Sequence, residues 1–159
     1  MLKLYKRIDS ELHYWETWDK NEKIGIVHWG KVGKRGKNKE VKSTRGISFR
    51  EEIQKEVNEK IAEGYFQIEI ENHKTLLIEY EIEGMGTEED LKKRHKLQDR
   101  MSETLGWTGL GHCDGGSIGS GTMEVCCFVV DFEIAKQEIE NDLIDTEFEN
   151  YTRIFDENE

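Results

Sequence analysis

The stretch that decides the fold of the first half runs from Leu12 to Gly36, LHYWETWDKNEKIGIVHWGKVGKRG. Its first seven residues and the run Lys23–Trp29 are rich in aromatic and β-branched side chains, which favour strands. The polar residues Asp19–Glu22 between the two runs are typical of a turn. The stretch therefore predicts an antiparallel hairpin that ends in a basic, glycine-rich loop.

Further elements are predicted on both sides of this hairpin. Alternating residues predict strands at 2–8 and 38–43. Ser48 and Glu51 form a capping box, which marks the start of a helix. Apolar residues then recur at every fourth position, which places on one helix face Phe49, Ile53, Val57 and Ile61. Gly64 is the predicted C-cap, and the alternation after it predicts a strand at 66–70.

The second half has the predicted order β-α-β-β-α-β. Strands are expected at 76–82, 123–130 and 148–155, with a hairpin built from the glycine-rich segment 106–121. Thr87 with Asp90, and later Asp131, are N-capping signals for two helices. Their predicted inner faces carry Leu91, Leu97, Met101 and Leu105 in the first helix, and Ala135, Ile139 and Leu143 in the second. This order predicts a ferredoxin-like domain, with two helices on one face of an antiparallel sheet.

Charge is distributed unevenly along the 159 residues. Residues 1–50 carry 13 Lys/Arg and 6 Asp/Glu, whereas residues 51–159 carry 10 and 28, so a basic segment precedes a strongly acidic one. The polar stretch 72–74 has no core residue and is the predicted linker. We therefore expect two domains, residues 1–71 and residues 75–159.

The remaining composition limits the class of protein. No apolar run is long enough to cross a membrane, and the N-terminus lacks the apolar core of a signal peptide, so we expect no membrane association. The three cysteines are an odd number and do not form a disulfide framework. These features favour a cytoplasmic protein.

A run of cations next to a tryptophan is the candidate binding site. Lysines and arginines can neutralise phosphates, and an exposed indole can stack on a base or sugar. The candidate nucleic-acid-binding residues are Trp29, Lys31, Lys34, Arg35, Lys37, Lys39, Lys42 and Arg45. Two alternatives stay open at this stage: Trp29 is a core residue, or the cations pair with the chain's own carboxylates.

Residues 12–68 resemble the WGR domain. The features that match are the aromatic strand HYWE at 13–16, Trp29-Gly30, the basic glycine loop at 31–36, and the helix end with Lys60 and Gly64-Tyr65. Lys31 stands where the family usually has arginine. The resemblance implies a DNA-binding module of a kind found in DNA-dependent poly(ADP-ribose) polymerases and in small bacterial proteins. It assigns the contacts with a DNA terminus to Trp29 and Lys31.

Catalytic and metal sites are not indicated. The glycine-rich segment lacks Gly-Lys-Ser/Thr and is followed by a strand, so it is not a phosphate loop. His112, Cys113, Cys126 and Cys127 lack zinc-ligand spacing, and no nucleophile and base stand at a recognisable spacing. We expect neither an enzyme nor a cofactor.

The expected fold class is α+β, a WGR-like antiparallel sheet with one helix followed by the ferredoxin-like domain. The expected partners are DNA, single- or double-stranded and including its ends, and a protein that binds the acidic C-terminal domain. The alternative is a protein–protein regulator, or an immunity-type protein whose acidic surface mimics nucleic acid.

Overall fold

The first half is an antiparallel sheet with a helix on one face. In the computed structural model, which describes residues 1–159, the strands are β1 (Leu2–Ile8), β2 (Glu11–Asp19), β3 (Ile24–Lys31) and β4 (Lys37–Lys42). They are arranged in chain order, and each pairs antiparallel with the next. The predicted hairpin is therefore confirmed. Helix α1 (Phe49–Ala62) follows β4.

Helix α1 begins and ends where its caps predict. Ser48 Oγ accepts a hydrogen bond from the backbone N–H of Glu51 at 3.2 Å. At the other end Gly64 has a φ of +100°, and the N–H of Tyr65 reaches the carbonyl of Lys60 at 3.0 Å. Ile61 is 55% exposed, so its predicted place on the inner face is wrong. A step of four residues turns the helix by about 400°, so the three steps after Phe49 rotate Ile61 by about 120° away from the core.

The strand predicted at 66–70 is also wrong. Only Phe66 pairs with another strand, through two backbone hydrogen bonds with Tyr5 of 2.8 and 2.9 Å. Ile70–Asn72 forms a short 3-10 helix, and the predicted linker at 72–74 divides between this turn and the next strand. Phe66 and Ile70 are both about half exposed, and Ile68 alone packs against the main core. The alternating apolar side chains of 66–70 do not form a strand because no apolar surface of the protein covers Phe66 and Ile70.

The second half is a four-stranded antiparallel sheet with two helices. Its elements are β5 (Lys74–Glu81), α2 (Glu88–Trp107), β6 (Gly111–Gly119), β7 (Thr122–Val129), α3 (Phe132–Leu143) and β8 (Arg153–Asp156). The strand order is β6-β7-β5-β8. The final strand is shorter than predicted, because Phe148 is buried in the turn that precedes it.

The caps and inner faces of α2 and α3 agree with the sequence. Thr87 and Asp90 exchange both capping-box hydrogen bonds, and Asp131 Oδ1 accepts from the N–H of Ile134. The predicted core positions of both helices are fully buried, except Leu91, which is 37% exposed in the first turn of α2. None of the three helices combines the length and the apolar composition that crossing a bilayer requires.

Two hydrophobic clusters hold the molecule together. The smaller one lies between α1 and the first sheet and contains Leu4, Trp15, Val27, Phe49, Ile53 and Val57. The larger one is the core of the second half, but it includes Tyr5, Leu12, Tyr14 and Val32 of the first half. The first sheet therefore buries side chains on both faces, one under α1 and the other against the second half.

The division into domains 1–71 and 75–159 stays a prediction that a fragment can test. We expect residues 75–159 alone to melt cooperatively, because most of the larger cluster belongs to them. The melting temperature should lie below that of the full chain, by about 4 to 8 °C for each kcal/mol lost with the four residues of the first half. Calorimetry of the fragment and of the full chain measures the two melting temperatures. A fragment without a cooperative transition would contradict the division.

Candidate nucleic-acid interface

Trp29 lies at the margin of the smaller cluster. The strand register places Trp15, Trp29 and Lys37 side by side on β2, β3 and β4, on the face that α1 covers. Trp29 is half-buried and lines a cleft of about 180 Å³ together with Lys39 and Glu56 of α1. One part of the Trp29 side chain therefore packs against the smaller cluster, and another part lines a cleft that a small chemical group could enter.

The basic residues divide into paired and unpaired sets. Lys31 contacts Glu11 at 2.7 Å, Lys39 contacts Glu56 at 2.7 Å, and Lys42 lies 3.9 Å from Glu40. All three carboxylates belong to residues 1–71. The remaining four cations are exposed and have no ion pair, and they are Lys34, Arg35, Lys37 and Arg45. The chain's own carboxylates therefore neutralise only part of the segment.

The loop between β3 and β4 is held against the second half. Val32 is 2% exposed and belongs to the larger cluster. The N–H of Gly33 donates to the carbonyl of Thr108 at 2.9 Å, and Gly33 has a φ of +91°, a conformation that favours glycine. Lys34 and Arg35 then line a polar cleft of about 330 Å³, opposite Glu138 and Asp142 of α3 among other polar residues. Lys34 and Arg35, which form no ion pair, therefore follow a backbone segment that Val32 and Gly33 fix against the second half.

A chain of buried polar groups lies on the other face of the first sheet. His28 is 0% exposed and Glu16 is 4% exposed, and His28 Nδ1 lies 2.7 Å from Glu16 Oε1. The hydroxyl of Tyr14 lies 3.2 Å from His28 Nε2, and Lys3 Nζ lies 3.5 Å from Glu16 Oε2. The ring of Trp107 packs against His28 in an edge-to-face arrangement, with centroids 5.0 Å apart and ring planes at 74°. The first sheet therefore buries the Lys3–Glu16 ion pair and the His28–Glu16 hydrogen bond on the face that Trp107 of the second half covers.

Tyr14 connects the basic loop to the second half. Its hydroxyl can donate one hydrogen bond, and the carbonyls of Lys34 and Trp107 lie within reach at 3.0 and 3.3 Å. Burial, followed by the negative charge of Glu16, raises the pKa of Tyr14 to about 12, so the hydroxyl stays protonated at neutral pH. The role of Tyr14 is therefore structural: its protonated hydroxyl fixes the loop between β3 and β4 against the second half.

The buried polar chain was not predicted from the sequence. Tyr14 and Glu16 alternate on β2 and share a face, and His28 stands opposite Glu16 across the hairpin. Two polar residues at alternating positions of an otherwise aromatic strand are the signal that would have found them.

The histidine and cysteines of the second half do not converge on one point. No group of three or more His, Cys, Asp or Glu side chains is arranged to hold a metal ion. All three cysteines are free thiols, and burial together with the nearby charge of Glu157 raises the pKa of Cys126 to about 11. A thiol with a raised pKa is a weak nucleophile at neutral pH.

Comparison with protein-family models, with curated proteins and with solved structures finds no match in any of the three. The resemblance to the WGR domain therefore rests on the motifs within residues 12–68.

Proposed function

We propose that the protein binds nucleic acid through a surface that we call the basic patch. It consists of Trp29, Lys31, Lys34, Arg35, Lys37, Lys39, Lys42 and Arg45. The observation that carries the proposal is that four of these cations are exposed and form no ion pair, although Lys34 and Arg35 share a cleft with Glu138 and Asp142, in a chain with a formal net charge of −11. Unpaired cations on a rigid loop and on the adjoining strand can attract and neutralise the phosphates of a nucleic acid.

The paired lysines also fit this proposal. Exposed ion pairs contribute little to stability, so Lys31, Lys39 and Lys42 can exchange their carboxylates for phosphates. A half-buried Trp29 can offer a ring edge or part of a ring face to a terminal nucleotide. The first half would then be a WGR-like module. The strand order β6-β7-β5-β8 supports a ferredoxin-like second domain, which we propose binds a protein partner in the cytoplasm.

A second candidate is a protein regulator that mimics nucleic acid. It is favoured by the charge of residues 51–159, which carry 28 Asp/Glu against 10 Lys/Arg. In this case the acidic half would occupy the basic site of another protein, and the basic patch would have no ligand.

A salt titration of oligonucleotide binding separates the two candidates. We expect affinity for short single- or double-stranded DNA to fall with salt at a log–log slope of roughly 0.7 to 0.9 for each phosphate contacted. The triple variant Lys34→Ala, Arg35→Ala, Lys37→Ala should reduce that slope by about 2 to 3, because each replacement removes one contact. Fluorescence anisotropy at several salt concentrations measures both proteins.

The matched control replaces three exposed lysines outside the basic patch, Lys55, Lys92 and Lys96, and should leave the slope nearly unchanged. In the same assay Trp29→Ala should weaken binding by about 1 to 3 kcal/mol, and Lys31→Arg should match or exceed the wild type. Absence of binding at low salt, or equal slopes for both triple variants, would contradict the proposal and favour the mimic.

A further inference from the structure

A second cleft lies between the two halves and shares no residue with the basic patch. It has a volume of about 290 Å³ and lies where β1, the segment 67–73 and the start of β6 meet. Its polar lining includes Lys3, Gln67, His73 and His112, and its apolar lining includes Ile68 and Ile70. Clefts with an apolar wall and a few convergent polar groups are the usual form of small-molecule sites.

The basic side chains of this cleft are Lys3, His73 and His112. His73 Nδ1 is placed to donate to the carbonyl of Glu69 at 3.1 Å, and neither His73 nor His112 contacts a carboxylate within 4.0 Å. Lys3 shares the buried Glu16 at 3.5 Å. Glu69 is the one acidic residue in the lining. The lining therefore holds three basic side chains and one carboxylate, and of the three only Lys3 has an ion-pair partner.

His112 is held in place but has unused hydrogen-bonding capacity. Its ring packs against Phe128 with centroids 5.6 Å apart, and its nitrogens make no hydrogen bond within the protein. Partial burial, together with the charges of Lys3 and His73, lowers the pKa of His112, and Asp114 acts in the opposite direction. An anion in the cleft would relieve this repulsion and favour the imidazolium.

We propose that this cleft binds a small organic anion with an apolar, ring-sized body. The anionic group would lie between Lys3, His73 and His112, and the apolar body would contact Ile68 and Ile70. Carboxylates and phosphate monoesters share this chemistry, and the probes below distinguish them.

Benzoate is the first probe because its carboxyl group is ionised throughout the useful pH range. The charged groups that face His112 are Lys3 from β1, His73 and Glu69 from the segment beside it, and Asp114 from its own strand. Met1 also lines the cleft, and an α-amino group titrates in the same pH range as an imidazole, so a His112→Gln variant is needed to assign the pH dependence to His112. We expect benzoate to bind more tightly at about pH 6 than at about pH 8, by at most about tenfold for a rise of one unit in the pKa of His112 on binding.

Nuclear magnetic resonance of the full chain tests the proposal. Benzoate should shift the imidazole resonances of His112 and His73, leave those of the exposed His95 on α2 unchanged, and raise the pH midpoint of His112. Benzamide, which has the same ring and no charge, should bind at least about tenfold more weakly. Phenyl phosphate should bind in the same place, and its affinity relative to benzoate tells whether the site prefers a phosphate monoester.

His112→Gln should weaken benzoate binding about tenfold and reduce its pH dependence, whereas His95→Gln should change neither. Equal binding of benzamide and benzoate, shifts elsewhere on the surface, or an unchanged midpoint of His112 in the wild type would overturn the proposal. Because oligonucleotide binding depends on other residues, failure here leaves the basic patch unaffected.

Discussion

Replacing Glu16 with alanine should lower the free energy of unfolding by about 3 to 5 kcal/mol, the usual effect of removing one partner from a buried ion pair. Glu16 is 4% exposed, and its two oxygens face His28 at 2.7 Å and Lys3 at 3.5 Å. Without the carboxylate the buried imidazole loses the group that accepts its hydrogen bond, and the amine loses its counter-charge. Urea unfolding followed by tryptophan fluorescence measures the change.

The same strand supplies the control. Glu11 contacts Lys31 at 2.7 Å but is exposed, so Glu11→Ala should hardly change the unfolding midpoint. The double variant Glu16→Leu, His28→Leu should recover part of the lost stability, because it also removes the buried imidazole that Glu16→Ala leaves without an acceptor, although Lys3 still lacks its counter-charge. A Glu16→Ala protein as stable as the wild type would show that the buried contacts of Glu16 with His28 and Lys3 contribute little to the stability of the fold.

Gly109→Ala should be similarly destabilising, by about 2 to 5 kcal/mol, for two additive reasons. Gly109 has a φ of +67°, where an L side chain is strained, and a Cβ would lie 2.1 Å from Cδ1 of the Tyr14 ring. The carbonyl of Gly109 also accepts a hydrogen bond from the Tyr5 hydroxyl at 3.0 Å, so a shift of the backbone would disturb a second tyrosine. Calorimetry of the full chain measures the loss.

Gly106, three residues earlier, is the matched control. It lies within α2, and a Cβ there meets no atom within 4 Å. Gly106→Ala should therefore stabilise the helix by about 0.5 to 1 kcal/mol, because alanine loses less backbone freedom on folding. A loss of stability for Gly109→Ala and a gain for Gly106→Ala would separate the clash with Tyr14 from the general effect of replacing glycine by alanine. Similar effects at both would contradict the importance of this contact.

Local signals in the sequence predicted most elements of the fold. The caps at Ser48, Thr87 and Asp131 and the apolar spacing of the helices depend on residues within a few positions of each other. The strand expected at 66–70 did not form, because alternation shows only that a strand could bury one face. Whether a partner strand or a core lies beside the segment depends on tertiary structure. Only Phe66 pairs with a strand, and the side chains of Phe66 and Ile70 are not buried by a core.

The candidate site was less predictable because its contacts cross the chain. The run of cations is visible in the sequence, but the carboxylates that pair with Lys31 and Lys39 lie 20 residues before one and 17 residues after the other. The pairing of His28 with Glu16 depends on the register of the hairpin. A shift of the register by one residue would move the two side chains to opposite faces and abolish the pairing. The cleft at His112 combines residues more than 100 positions apart, and no local pattern marks it.

The hydrogen bond from Gly33 to Thr108 joins residues that leave the ribosome at different times. At a synthesis rate of about 5 to 20 residues per second, roughly 4 to 15 s separate the two residues. During that interval Tyr14 and Val32 have no surface on which to dock. Residues 1–50, with 13 Lys/Arg and 6 Asp/Glu, are also synthesised before residues 51–159, which carry 10 Lys/Arg and 28 Asp/Glu. Anionic molecules near the ribosome therefore meet the basic segment before its acidic half exists.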